Sequence, residues 1–130
     1  MFETIRWRCY AHAGDRRSAQ RLVDRIEQLL PCPLETVEYA RYWKFPELAE
    51  LRLVSALACS TPEQALLTTL QLAWKIATPW SLLGCATGPL HEFEGIASAN
   101  VGATFSVAGI EWMEFTVSDH HEGTAAETLA

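Results

Sequence analysis

Hydrophobic and polar side chains alternate from Glu3 to Ala11, at the start of the chain. A strand sends successive side chains to opposite faces, so this period of two predicts a strand with one packed and one solvated face. The packed face would carry Ile5, Trp7 and Cys9, and the solvated face Arg6, Arg8 and Tyr10. Alternation returns from Leu34 to Phe45 and from about Glu50 to Ala58, with a turn predicted at 46–47 between these two strands.

Two stretches instead repeat their apolar residues every three or four positions, which is the spacing of an amphipathic helix. The first begins after Asp15, a predicted N-cap, and ends at the Pro-Cys-Pro sequence of residues 31–33. The second has Thr61 as N-cap, Pro62 in the first helical position and Gln64 as the third residue of a capping box. The apolar faces would be formed by Ala19, Leu22, Val23, Ile26, Leu29 and Leu30, and by Leu66, Leu67, Leu70, Ala73, Trp74 and Ala77.

The last third of the chain is rich in strand-forming residues. A short strand is predicted over 80–86, and two longer strands, 91–98 and 105–117, would pair as an antiparallel hairpin across the small residues of 99–103. Alternation within the last strand predicts a solvated face and a core face, formed by Ile110, Trp112, Glu114 and Thr116 and by Glu111, Met113, Phe115 and Val117, respectively. Polar and small residues follow, so 119–130 is predicted to be a flexible acidic tail.

These elements follow the order strand, helix, two strands, helix, strand, hairpin. The first six predict an α+β fold of the ferredoxin-like βαββαβ type, with two helices on one face of an antiparallel sheet that the C-terminal hairpin extends. A chain of 130 residues with 49% hydrophobic residues fits one domain with a real core, which we place at 1–118.

Charge is distributed unevenly along the chain. The net charge is −6, and residues 1–52 hold nine Lys and Arg against eight acids, whereas residues 53–130 hold only Lys75 against eight acids. An acidic surface repels phosphate backbones and attracts cationic partners, so direct nucleic-acid binding is disfavoured. The arginines of the first helix lack the interleaved aromatic residues of a single-strand binder, and we interpret them as its solvated side.

The absence of targeting segments and the spacing of the cysteines indicate the cellular compartment. No run of about 20 apolar residues and no apolar signal-peptide core is present, which predicts a protein of the cytoplasm that does not enter a membrane. The four cysteines contain no Cys-x-x-Cys pair, so neither a zinc ribbon nor a redox motif is indicated, and no metal or cofactor is expected. The glycines do not form a phosphate-binding loop or a nucleophile elbow.

Several polar residues are candidates for catalytic or ligand-binding groups. His12, Asp15 and His91 would be needed together for a hydrolase or a metal site, but Asp15 is also the predicted helix cap. The pairs Glu92/Glu94 and Glu111/Glu114 would serve acid–base chemistry only if a pocket raised the pKa of one member, and nothing in the sequence indicates such a pocket. The sequence therefore predicts no enzyme.

An acidic and aromatic set on the C-terminal hairpin instead has the profile of a protein-binding surface. Aromatic anchors surrounded by polar groups are typical of binding hot spots, and exposed carboxylates speed the approach of a basic partner. The predicted partner-binding residues are Glu92, Glu94, Glu111, Trp112, Glu114 and Asp119.

In size, acidic balance, tryptophan content and the Tyr-Trp-Lys-x-Pro sequence of residues 42–46, the chain resembles a bacterial immunity protein. Such proteins are the cytoplasmic antidotes of contact-dependent growth inhibition and related polymorphic toxin systems. The resemblance implies that the chain neutralises a cognate basic toxin domain, often a nuclease, by binding and occluding it.

Two other functions remain open at this point. One is a ferredoxin-like domain that binds a small molecule or acts as a simple enzyme through His12, Asp15 or His91. The other is assembly of copies of the chain along an exposed strand edge. The sequence does not determine the oligomeric state.

Overall fold

The structure is a computed structural model that describes residues 1–85 and 92–119. Its strands are β1 (Phe2–His12), β2 (Leu34–Arg41), β3 (Leu48–Cys59), β4 (Ala77–Thr78), β5 (Ser81–Cys85), β6 (Glu92–Ser98), β7 (Thr104–Phe105) and β8 (Ile110–Ser118). Its helices are α1 (Arg16–Leu29) and α2 (Pro62–Ile76), and a short 3₁₀ helix spans Ala99–Val101. Six strands form an antiparallel sheet in the order β2-β3-β1-β8-β6-β5, and β4 pairs separately with β7.

Both helices begin where the sequence predicts. The Asp15 carboxylate accepts a hydrogen bond from the backbone N–H of Ser18 at 2.8 Å, and the Ser18 hydroxyl lies 3.2 Å from the Asp15 backbone nitrogen, which completes a capping box. The Thr61 hydroxyl accepts a hydrogen bond from the Gln64 N–H at 3.2 Å, and Pro62 occupies the first turn. The predicted N-caps Asp15 and Thr61 are thereby confirmed.

The helices cover one face of the sheet and enclose the core. Trp7 of β1 and Phe115 of β8 are 2% and 0% exposed, and their rings meet edge to face with centroids 5.8 Å apart. Trp80 packs against both rings, while the Trp7 indole donates its N–H to the buried Ser55 hydroxyl at 3.0 Å. Each fully buried side chain of this size contributes roughly 1.5–3 kcal/mol by leaving water, so this layer stabilises the fold.

The predicted ferredoxin-like α+β class is confirmed: an antiparallel sheet carries both helices on one face. The sixth element of the predicted βαββαβ order, which is β5 in the structure, nevertheless lies elsewhere in the sheet than that order predicts. β5 forms an edge of the sheet opposite β2, and the long β8 occupies the position beside β1. A strand of nine residues can hydrogen-bond along much more of the eleven-residue β1 than the five residues of β5 can.

A bulge in β8 overturns part of the predicted alternation. Tyr10 faces Trp112 across the ladder, while the next residue of β1, Ala11, faces Ile110, so Glu111 is the extra residue of the bulge. Ile110 is consequently 5% exposed and belongs to the core, and Glu111 is turned out of it. The faces predicted for Ile110 and Glu111 were wrong, whereas those predicted for the rest of 112–117 are confirmed.

The second predicted strand is shorter than the alternation indicated. β2 ends at Arg41, because the chain turns back through hydrogen bonds from the Tyr42 N–H to the Leu48 carbonyl and from the Leu48 N–H to the Phe45 carbonyl, both 2.9 Å. Residues 42–47 therefore form a loop between β2 and β3, which we call the aromatic loop. A register shift next to Val37 also leaves that side chain 64% exposed.

Within residues 1–85 and 92–119, neither helix combines the length and the apolar composition that crossing a membrane would require.

Candidate functional site

The sheet face opposite the helices carries the polar and aromatic residues of the central strands. We call it the open face, and cross-strand neighbours arrange it in three rows. The rows are Glu50, Tyr10, Trp112 and Ser98; then Arg52, Arg8, Glu114 and Ile96; then Val54, Arg6, Thr116 and Glu94. The alternation of β1 and β8 thus brings charge and aromatic rings onto one surface.

Three aromatic rings form a stack at one end of this face. Tyr10 lies between Tyr42 and Trp112, with ring centroids 4.1 Å and 4.9 Å away and interplanar angles of 13° and 23°. The Arg8 guanidinium lies 5.2 Å from the Trp112 ring centroid and 5.9 Å from that of Tyr10. Such ring pairs are worth about 0.5–1.5 kcal/mol beyond the area they bury, so the stack holds its rings in fixed positions.

The middle row is a set of mutually paired charges. Arg8 contacts Glu114 at 3.2 Å, and Arg52 contacts Glu38 at 3.3 Å and Glu50 at 3.1 Å. Burial raises the pKa of Glu114; Arg8 opposes this shift, and the neighbouring Glu94 carboxyl adds to it through its charge and a hydrogen bond. The raised pKa, which the sequence did not indicate, is that of Glu114, and it depends partly on a carboxyl from a different strand.

Glu111, displaced by the bulge, meets His12 at the end of β1. Its carboxylate lies 3.0 Å from the His12 Nε2, and its side chain is 39% exposed. The pair forms part of a cleft of about 630 Å³ between the aromatic loop and the segment that starts at Ser98. The cleft is lined by Arg8, Tyr10, His12, Tyr42, Phe45, Glu47, Leu48, Ser98, Asn100, Glu111 and Trp112.

The aromatic loop presents large apolar side chains beside this cleft. Trp43 is 82% exposed and Phe45 is 48% exposed, and both rings contact that of Tyr42, with centroids 6.1 Å and 5.9 Å away. An indole that stays in water adds little to the free energy of unfolding. Exposed apolar patches rimmed by polar groups are instead typical of protein-binding sites. Carboxylates of Glu47 and Glu111 line the cleft beside this patch, and the Lys44 ammonium of the loop lies 5.8 Å from the Phe45 ring centroid.

Of the predicted partner-binding residues, five lie on the open face and one lies apart. Trp112, Glu114 and Glu94 share it directly, and Glu111 joins them through the bulge. Glu92 alternates with Glu94 along β6 and therefore lies on the same face, at its far end beside Ser118. The carboxylate of Asp119 lies 2.6 Å from the N-terminal ammonium of Met1. The tail beyond Asp119 lies outside the described residues.

The predicted alternative site is not assembled by the described residues. His12 lines the cleft, but the Asp15 carboxylate is occupied in capping α1, and its hydrogen bonds to Ser18 lower its pKa. His91 lies outside the part of the chain that the structure describes. Among residues 1–85 and 92–119, no group of three or more His, Cys, Asp or Glu side chains is placed to hold a metal ion.

The described cysteines are placed as structural thiols. Cys9 is fully buried under the helices, and burial raises its pKa to about 12, which keeps the thiol protonated and a poor nucleophile at neutral pH. Burial also raises the pKa of Cys32, with a further contribution from the charge of Glu27. The thiol of Cys59 lies 3.7 Å from the Thr68 hydroxyl.

Sequence reasoning missed half of the site. The alternation predicts a strand and a turn over the stretch that contains Tyr42, Phe45 and Glu47. The Tyr-Trp-Lys-Phe-Pro sequence of residues 42–46 nevertheless has three aromatic residues next to a proline. That density of aromatic residues before a turn is the signal that would have found the aromatic loop. Tyr10 was placed on a solvated face, and only the cross-strand register shows that it meets Trp112.

Comparisons of the chain with protein-family models, with curated proteins and with solved structures find no match.

Proposed function

We propose that this protein is a cytoplasmic immunity protein, which binds and occludes a cognate basic toxin domain with its open face and aromatic loop. The observation that carries the proposal is the aromatic loop itself, with Trp43 82% and Phe45 48% exposed beside a rigid three-ring stack. Trp and Tyr dominate the hot spots of protein interfaces because they bury a large area with few rotatable bonds.

Charge supports a basic partner. Glu47 and Glu111 lie beside the aromatic patch, and the chain as a whole carries −6. Carboxylates of this kind accelerate the approach of a cationic protein and repel nucleic acid, so the partner's own substrate would not compete for the same surface. The paired charges of Arg8, Glu114 and Arg52 hold the face rigid beneath the partner.

The test expresses the reading frames that neighbour this chain's own, one of which should encode the toxin if the proposal holds. Expression of that frame is expected to arrest growth, and co-expression of this chain is expected to restore it. Trp43→Ala should weaken binding by about 2 kcal/mol or more, roughly 30-fold, because it removes an exposed anchor. The readout is the dissociation constant from calorimetry, alongside growth.

The matched control is Trp74→Ala, which removes another exposed indole, 61% accessible, from α2 on the opposite side of the sheet. Its effect on binding should be within about 0.5 kcal/mol. Equal losses from the two substitutions, or neighbouring reading frames that do not arrest growth, would refute the proposal.

A second function is favoured by one observation, the cleft. A volume of about 630 Å³ with aromatic walls and a few polar groups lies within the range of roughly 300–1,000 Å³ typical of small-molecule sites. A thermal-shift screen with metals and common metabolites tests it, since a ligand at 100 times its dissociation constant adds about 2.7 kcal/mol to the free energy of unfolding. A clear melting shift that Tyr42→Ala abolishes would favour this function over toxin binding.

A further inference from the structure

We propose that the cleft between the aromatic loop and the Ser98 segment receives an arginine side chain of the partner protein. This inference rests on the proposed function and identifies the chemistry of its anchor. The cleft holds about 630 Å³, which is room for one long side chain and the backbone next to it. The aromatic residues that line the cleft and the charges beside them determine which kind of side chain it can bind.

The walls suit a flat cation. Tyr42, Phe45 and Trp112 line the cleft, and aromatic rings attract a guanidinium that stacks on them or approaches their faces. The chain itself makes this contact: Arg16 lies 4.8 Å from the Tyr39 ring centroid, and within the cleft Arg8 lies 5.2 Å from that of Trp112. Because Arg8 already lies over Trp112, the incoming guanidinium would stack on Tyr42 and Phe45.

The charges also select a cation. Of the ionisable side chains in the lining, Arg8 is offset by Glu114 at 3.2 Å, and Glu111 and Glu47 add two carboxylates. Among the described residues, Glu111 contacts the His12 ring through one carboxylate oxygen at 3.0 Å and is 39% exposed, so its other oxygen can accept from a ligand. A guanidinium offers paired N–H donors to a carboxylate, while an ammonium is a point charge that loses more hydration on entry.

The experiment titrates the full chain, labelled with nitrogen-15, with N-acetyl-L-arginine amide and follows its amide signals. A fragment of this size should bind with a dissociation constant on the order of 1 mM, and shifts should concentrate at residues of the cleft. The uncharged probe N-acetyl-L-citrulline amide, of nearly the same shape, should bind at least about 10-fold more weakly because it lacks the charge.

Substitutions locate the site. Glu111→Gln should weaken the arginine probe about 5-fold or more by removing the carboxylate, whereas Glu3→Gln, an exposed carboxylate near the N-terminus, should leave it unchanged. The inference is overturned if the citrulline probe binds equally well, if the shifts map outside the cleft, or if Glu111→Gln has no effect.

The outcomes separate this inference from the proposed function. If the toxin binds in a Trp43-dependent way but the arginine probe does not bind in the cleft, the anchor is wrong and the immunity function stands. If the probe binds in the cleft but no neighbouring toxin is neutralised, the cleft recognises arginine and the immunity function fails.

Discussion

The two faces of the sheet use the same kinds of residue for opposite purposes. On the covered face, Trp7 and Phe115 are 2% and 0% exposed and pack edge to face under the helices. On the open face, Tyr10 and Trp112 stack nearly parallel, remain partly exposed, and lie among charged side chains. One strand, β1, contributes an aromatic ring to each layer.

The contrast separates the layer that stabilises the fold from the face that we propose binds a partner. The covered layer removes large apolar areas from water, which is the dominant favourable term in folding. The open layer gains less from burial and holds rings and charges in a fixed arrangement that solvent can reach. Substitutions on the first layer should therefore unfold the protein, and substitutions on the second should spare the fold and alter binding.

The largest effect is expected from Phe115→Ala. The ring is fully buried between Trp7 and Trp80, so its loss leaves a cavity and should lower the free energy of unfolding by about 3–5 kcal/mol. Urea denaturation followed by circular dichroism measures it. A loss below about 1 kcal/mol would mean that the covered layer does not dominate stability.

The next effect comes from filling space on the covered face. A Cβ on Gly95 would lie 2.4 Å from Cε2 and 2.5 Å from Cζ of Phe115, so Gly95→Ala should destabilise by about 1–3 kcal/mol through overpacking. Gly14→Ala is the control, because nothing lies within 4 Å of the added Cβ. Melting temperatures of the two variants should differ clearly, and equal values would contradict the predicted close packing.

A smaller effect on stability is expected from Tyr42→Ala on the open face. The substitution removes one ring of the stack and should cost about 0.5–1.5 kcal/mol of folding free energy. Its effect on affinity for the proposed toxin partner should be larger, because Tyr42 lies in both the stack and the cleft. Denaturation and calorimetry on the same preparation give both values, and a loss of stability greater than the loss of affinity would break the contrast between the faces.

The smallest effect is a pH dependence from Glu114. Burial raises the pKa of this carboxyl above its ordinary value of 4.5. Between pH 4.5 and the raised pKa, the folded chain therefore keeps a proton on Glu114 that the unfolded chain has released. This group therefore lowers the free energy of unfolding as the pH rises from 4.5 through the raised pKa. Unfolding midpoints across this range should fall less steeply with pH for Glu114→Gln, and an unchanged slope would contradict the shift.

A control for that measurement is Glu3→Gln, whose side chain is exposed near the start of β1. Its unfolding midpoints should follow those of the unsubstituted chain at every pH.

Local signals predicted most of the elements of this fold. Asp15 and Thr61 were identified as N-caps because the hydrogen bonds they accept come from residues three positions away. Alternation assigned Trp7 to the core and Trp112 to the outer face for a similar reason, since the period of a strand depends only on its own backbone. The two-helix, antiparallel α+β class followed from the order of these elements.

Other features depended on contacts between distant parts of the chain. The bulge that turns Glu111 toward His12 is a register shift between β8 and β1. These two residues are 99 positions apart in the chain, so the sequence of either strand alone does not predict the bulge. The same holds for the stack of Tyr10, Tyr42 and Trp112, whose rings come from three separate segments.

The helices, their caps and the inward and outward sides of most strands follow from the sequence alone, because each depends on residues close together in the chain. The acidic balance also follows from the sequence, because it is a sum over all residues. Tertiary contacts place β8 rather than β5 beside β1, and they form an aromatic cleft where the end of β1 and the start of β8 meet the aromatic loop. The physical reason is that strand pairing is chosen by total hydrogen bonding and burial among all available partners, a competition that no single stretch of sequence records.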